Sequence, residues 1–403
     1  MNQIEQAFLR ILKAALQGQR LTEYDDFTLD QWQAVFQLAQ AHKVLPMVYQ
    51  TVYQAPALKD SGVIRATVRK LVVSQTMKTE EFLQLNKQLK NAGCTPLVVK
   101  GLVCRNLYPQ PDLRASSDED LLIPQEQFGL CCQILRQFGM QTSTPESRME
   151  TDFEVPFRKQ DGVLFIELHK RLFPPDSDAY GHWNSYFADV FQNAIQDGEV
   201  LTLSYTDHLF YLICHAFKHF VHSGFGIRQV CDIGMFANAY GQLVDWGEIH
   251  RNCCQIHAEV FAAAIFQIGK NYLGFDPDKA AYPQVWREIS VDETDMLLDL
   301  LSAGVYGSAT LSRQHSSNMT LSAVSGDRKG RGSLRRMLFP SAKSLETRYP
   351  YLQKHPILLP VAWSGRIVGY LRQTKYTQNN SIQESLEIGN QRVALLRKYR
   401  VIR

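Results

Sequence analysis

Three carboxylates stand in a row at the mouth of an apolar run in "LRASSDEDLLI", residues 113–123. They are Asp118, Glu119 and Asp120, and Leu121, Leu122 and Ile123 follow. A strand that begins there sends Asp118 and Asp120 to one face and Glu119 to the other. Like charges on one face repel and raise each other's pKa, so either solvent screens them or a cation does. A second stretch, "LFIELHKRL", places Phe165, Glu167 and His169 on one strand face and Ile166 and Leu168 on the other. If the two strands are neighbours, Glu167 reaches the edge that carries the aspartates. Carboxylates on adjacent strands suit a pair of divalent cations such as Mg2+, which keeps several waters and takes phosphate oxygens as further ligands. Two such ions can hold the attacking and leaving oxygens of an in-line phosphoryl or nucleotidyl transfer. D-x-D alone is weaker evidence, since it also occurs in metal-dependent glycosyltransferases and in solvated turns.

The elements that must position these residues are readable from periodicity. Residues 1–93 read as a helical region, with Trp32, Val35, Phe36 and Ala39 near one helix face and a long amphipathic helix that Gly93 terminates. "TPLVVKG" reads as a buried strand, "LVCRNLY" as a short helix, "DEDLLI" as a second strand and "PQEQFGLCCQILRQFG" as a helix. "FEVPFRKQDGVLFIELHKRL" reads as two strands around the turn signal Gln160-Asp161-Gly162. The expected fold is therefore α+β, with a small mixed-sheet core over 94–205 enclosed by N- and C-terminal helical regions. A helical domain is expected over 206–306, its first helix capped by Thr206 or Asp207. The last part, 307–403, reads as a mobile basic loop followed by a C-terminal helical region.

A chain of 403 residues, 45% apolar and 21% charged, can bury a large core in two or three units. Its net charge of +3 is too balanced for a nucleic-acid coat or a polybasic membrane anchor. The eight cysteines form no C-x-x-C and read as core thiols of a reducing compartment. With neither a signal peptide pattern nor a run of about 20 apolar residues, a cytoplasmic protein without a membrane span is expected.

The residues also carry a resemblance. "LVVKGLVCRNLYPQPDLRASSDEDLLI", then "FIELHKRLF" and "HAFKHFVHSGFGIRQVCDI", resemble the bacterial uncharacterised nucleotidyltransferase family of the polymerase-β-like nucleotidyltransferase superfamily, from about Trp32 to about residue 240. The resemblance implies a mixed sheet flanked by helices, Asp118 and Asp120 as ligands of Mg2+ (or Mn2+), and Glu167 as the third. Many members of the superfamily bind the triphosphate at a Gly-Ser that opens the helix after the first strand; that place reads Lys100-Gly101 here. The helix start and the Gly101 backbone are still expected to receive phosphate oxygens, with Lys100 as a point charge.

Further residues are weighed against plainer roles. Arg114 is expected to bind a phosphate, against a surface salt bridge with Asp112. His208, His215, His219 and His222 share one helix stripe. Zinc is disfavoured for want of a further ligand, and the resemblance implies that His215 and His219 face the cleft or the sheet. Arg228 and Asp232 form an i, i+4 pair that either positions substrate or is structural. His169 either orients a ligand or is a satisfied strand histidine. Arg313, Arg328, Lys329, Arg331, Arg335 and Arg336 read as a solvated connector; without interleaved aromatics, binding of nucleic acid is unsupported.

The expected activity is Mg2+-dependent transfer of NMP from an NTP, ATP first among them, to an unidentified acceptor with release of pyrophosphate. The alternatives are a nucleotide-binding regulatory protein or pseudoenzyme on the same fold and, behind it, a metal-dependent glycosyltransferase. Removing one aspartate is expected to relieve a like-charge contact and leave the apo fold intact.

Overall fold

The apolar runs between residues 94 and 205 form strands β1 (Leu97–Val98), β2 (Glu119–Leu122), β3 (Met140–Gln141), β4 (Glu154–Lys159), β5 (Phe165–His169), β6 (Ile195–Asp197) and β7 (Val200–Thr202). In the computed structural model they make one seven-stranded mixed sheet of order β3-β4-β5-β2-β1-β7-β6. The structure describes residues 1–304, 317, 319–321, 323–324, 342–345, 349, 351–365 and 382–402. The arginines and the lysine singled out between Arg313 and Arg336 lie outside the described residues. The fold is α+β, as the patterning implied.

Helices flank the sheet. The N-terminal ones are α1 (Gln3–Leu16), α2 (Leu29–Ala41), α3 (Leu45–Val52) and α4 (Gly62–Asn91). Helix α2 starts at a capping box between Thr28 and Gln31. Helix α4 turns Val68, Gln75, Lys78, Phe82, Leu85, Asn86 and Leu89 inward at helical spacing. It stops at Gly93, whose φ of 85° is the left-handed conformation glycine adopts most easily. A short helix, α5 (Gly101–Arg105), follows β1, and α6 (Phe128–Gln137) carries the chain from β2 towards the β3–β4–β5 meander. After a single turn, α7 (Glu146–Met149), and the β6–β7 hairpin come α8 (Tyr205–His222), α9 (Ile227–Tyr240), α10 (Trp246–Gln255) and α11 (Glu259–Ile268).

Strand β3 and two further details depart from the sequence reading. The hairpin of β6 and β7 was not expected, although Asp197-Gly198 marks its turn; β7 extends the sheet by pairing parallel to β1, Leu97 opposite Leu201. Helix α8 also begins earlier than either expected cap. Ser204 Oγ accepts the Asp207 N–H at 3.1 Å and fills that role.

The chain divides into two units, Met1–Ala216 with Ile227–Glu293, and Phe217–Gly226 with Thr294–Arg403. The first contains the whole sheet. In the second, Arg392 on the helix Ile382–Lys398 pairs with Asp299 at 2.8 Å, and the Tyr399 hydroxyl accepts the Met296 N–H at 3.0 Å. All eight cysteines are free thiols; seven are buried and Cys254 is exposed. Among the described residues no helix is long and apolar enough to cross a membrane.

Candidate functional site

Strands β2 and β5 lie side by side and parallel, with Asp120 opposite Glu167 and Leu122 opposite His169. Directly opposed residues of neighbouring strands share a face, and residues two apart on one strand do so again. Asp120, Glu167 and His169 therefore meet on one side of the sheet. His169 Nε2 lies 3.2 Å from Asp120 Oδ1 and 3.7 Å from Glu167 Oε2, and its Nδ1 lies 3.6 Å from Glu154 Oε2 on β4. From the turn after β1, Lys100 Nζ reaches Asp120 Oδ2 at 3.0 Å. His215 of α8 comes within 3.3 Å of the same ammonium. Asp118, just ahead of β2 and half-buried, adds its charge to the field at Glu167.

The charges fit together. Burial would push the Asp120 carboxyl up, but Lys100 and His169 outweigh it and hold Asp120 well below the usual carboxylate range. Burial opposes the His169 proton, yet its hydrogen bond to Asp120 and the nearby Glu167 carboxylate raise its pKa to about 9. Glu167 is also raised: burial is the main cause, His169 opposes it, and repulsion from Asp120 and Asp118 adds to the rise. The cations beside Asp120 are thus the chain's own ammonium and imidazolium. Losing Asp120 would relieve its repulsion of Glu167, but it would also strip Lys100 and His169 of their partner.

Glu119 does point to the opposite face, and there it is wholly buried. Its carboxylate accepts from the Leu102 N–H at 2.9 Å, from Arg105 Nη2 at 2.8 Å and from Ser116 Oγ at 3.3 Å. Gly101 makes this possible. Its φ is +35°, and a Cβ placed on it would lie 1.8 Å from Glu119 Oε2. The helix start where phosphate oxygens were expected therefore receives the chain's own carboxylate.

Arg114 is likewise seated away from the expected cleft. Its guanidinium is 2% exposed and grips Asp232 with both prongs, Nε to Oδ1 at 2.7 Å and Nη2 to Oδ2 at 2.6 Å. Arg114 Nη1 also donates to the Gly101 carbonyl at 3.3 Å. Asp232 further accepts the Tyr108 hydroxyl at 2.7 Å, while Arg228 donates through Nη1 to the Ala115 carbonyl. His208 is buried against Thr202, Oγ1 to Nδ1 at 3.1 Å. His219 falls in the second unit, where its carbonyl accepts the Ser223 and Gly224 N–H groups at the end of α8.

The donor set decides what the site can hold. Ligand atoms of Asp120, Glu167 and His169 lie within 4.8 Å of one another, and among the described residues they make the one such cluster. Two carboxylates that leave room for water and phosphate oxygens suit Mg2+, and an imidazole beside them also admits softer divalent ions. These residues are compatible with a divalent metal. Lys43, Lys78 and Glu154 were missed by the sequence reading: Lys78 and Glu154 carry no local signal, and Lys43 stands where a helix ends and glycine is usual.

No curated protein and no solved structure matches the chain. A family model described as uncharacterised nucleotidyltransferase matches residues 28–274. That span is more than half of the chain and contains the sheet, the carboxylates of β2 and β5, and helices α8 and α9. The chain belongs to the uncharacterised nucleotidyltransferase family.

Proposed function

We propose that the protein transfers NMP from an NTP, ATP being the first candidate, to an acceptor and releases pyrophosphate, with Asp120 and Glu167 at the reacting centre. The observation that carries this reading is the opposed pair Asp120–Glu167 on parallel strands, in a chain of this family. Asp120, Glu167 and His169 would hold a divalent cation, Mg2+ or Mn2+, which when bound neutralises charge on the phosphate oxygens. Asp118, outside the Asp120–Glu167–His169 cluster, is a further candidate ligand.

Glu167 is the accessible member of the cluster, 28% exposed at its side chain, and its raised pKa suits a base. The acceptor oxygen forms a bond to the α-phosphorus while its proton passes to Glu167. The bond from that phosphorus to the bridging oxygen breaks, and its electron pair leaves with pyrophosphate. Lys100 keeps Asp120 ionised throughout. His215, Arg114, Arg228 and Asp232 support the nucleotide side of the site by holding the Lys100–Gly101 turn and the segment before β2.

A second reading has one observation in its favour. Glu119 fills the helix start that would receive a triphosphate, as in a protein that binds nucleotide without turning it over. The experiment is to incubate the chain with NTPs labelled at the α-phosphate, Mg2+ or Mn2+, and cell extract as acceptor source, and to follow pyrophosphate release. Glu167→Gln should slow release by about 10²–10⁴-fold with an unchanged melting temperature. Metal-dependent nucleotide binding without any release would favour the second reading. Release at the wild-type rate in Glu167→Gln would remove Glu167 from the chemistry.

A further inference from the structure

Beside the Asp120 cluster, positive charge from three separate elements gathers on one short segment. Lys43, in the turn after α2, donates to Ser117 Oγ. Lys78, on α4, donates to the carbonyls of Ser116 and Ser117, the latter at 3.1 Å. Arg228, on α9, donates to the Ala115 carbonyl. Residues 115–117 lead directly into Asp118 and β2, where Lys100 meets Asp120. These cations feel one another. Burial first, then Arg228, Lys78 and Lys100, lower the Lys43 pKa, while Asp118 supports its charge.

The backbone at Lys43 gives a second, independent sign. Lys43 has φ +55°, the Lys43 N–H bonds to the Gln40 carbonyl at 3.0 Å and the Val44 N–H to the Ala39 carbonyl at 2.9 Å. This is the helix ending in which glycine is the favoured residue, and a lysine there costs about 1 kcal/mol. Fold stability alone would favour glycine. What the lysine adds is a half-buried ammonium at Ser117, which is exposed, beside half-buried Asp118. Lys78 and Arg228 are 6% and 5% exposed, so they brace the segment and supply field more than contact.

We propose that Lys43 grips the terminal phosphates of the nucleotide at the Ser117–Asp118 rim, on a segment braced and charged by Lys78 and Arg228. This polyphosphate subsite takes the place of the Gly101 turn that Glu119 fills, and it rests on the nucleotidyltransferase reading for the identity of its ligand. The test uses the full chain and inorganic tripolyphosphate, ATP and AMP as probes in titration calorimetry, with Lys43→Gly and Lys43→Gln as variants. Lys43→Gly should melt at or above the wild-type temperature, because it removes the left-handed lysine, yet bind tripolyphosphate and ATP about tenfold or more weakly, a loss near 1.4 kcal/mol. AMP, which lacks the terminal phosphates, should change less than twofold. Lys43→Gln, which keeps a side chain but no charge, should show the same loss.

Unchanged tripolyphosphate affinity in both variants would overturn the proposal, and more plainly so if the melting temperature fell, since Lys43 would then be a clamp for Ser117. Wild-type protein that transfers NMP but binds no tripolyphosphate would overturn it too and leave the transferase reading standing. Binding that depends on Lys43 in a protein that transfers nothing would support the subsite and remove the transferase reading.

Discussion

The two faces of β2 use the same chemistry to opposite ends. On one face Glu119 is sealed between Arg105, Ser116 and the start of α5, with both members of the Arg105–Glu119 pair fully buried. On the other, Asp120 meets Lys100 and His169, beside a Glu167 that solvent can reach. A carboxylate whose acceptor positions are taken up by fixed buried donors is structure. One whose partners are a lysine and a histidine, next to a second carboxylate, has donors that a ligand can recruit. Adjacent residues of one strand can therefore divide folding and chemistry between them.

The sealed face should give the largest effects when broken. Glu119→Ala leaves the Arg105 charge buried and unpaired, and a loss of about 3–5 kcal/mol is expected in denaturant unfolding. Gly101→Ala should also destabilise, since the new Cβ collides with the same carboxylate. Glu119→Gln belongs with these as a folding variant. Its carboxylate is wholly buried against Arg105 and the Leu102 N–H.

Arg114 sharpens the contrast from a second position. Arg114→Ala strands Asp232 and Tyr108 and should lower stability by about 3–5 kcal/mol. Asp232→Asn should lower it as well, and the double variant by less than the sum, because the partners are in direct contact. Additive losses would show that the pair is not coupled.

The smallest effect compares two buried histidines. His169 is held charged, with its pKa raised to about 9, whereas burial pushes His208 down to about 3. The unfolded chain binds a proton at His208 below about pH 6.5, while the folded chain stays neutral there until about pH 3. The stability His208 contributes is thus complete above pH 6.5 and is lost as pH falls through that window, by up to about 1.4 kcal/mol per pH unit. Melting curves of wild type and His208→Gln should converge as pH drops from 7 to 5. A constant gap would mean that His208 does not titrate as described.

How much of this was legible depended on range. Alternation within "DEDLLI" and "FIELHKRL" separated Asp120 from Glu119 and joined Glu167 to His169, because strand periodicity is local. That Asp120 faces Glu167 follows from parallel pairing across α6, which no local pattern encodes. The partners of Glu119 and Asp232 lie 14 and 118 residues away, at Arg105 and Arg114, so the sequence showed the charges without their pairing. The Gly at 101 was visible, but its reason, the Glu119 carboxylate beneath it, was not. The β6 and β7 strands have three residues each, too few for a periodic signal to stand out from the turn between them.

The claim that the Asp120 face is the chemical face of β2 is tested most directly by Mn2+ binding, followed through loss of the free-ion electron paramagnetic resonance signal, which needs no knowledge of the acceptor. Wild type should take up Mn2+, and more tightly with ATP present. Asp120→Asn, shown to be folded by its circular dichroism and cooperative melting, should leave the ion free. Mn2+ uptake by folded Asp120→Asn with wild-type affinity would contradict the assignment of that face.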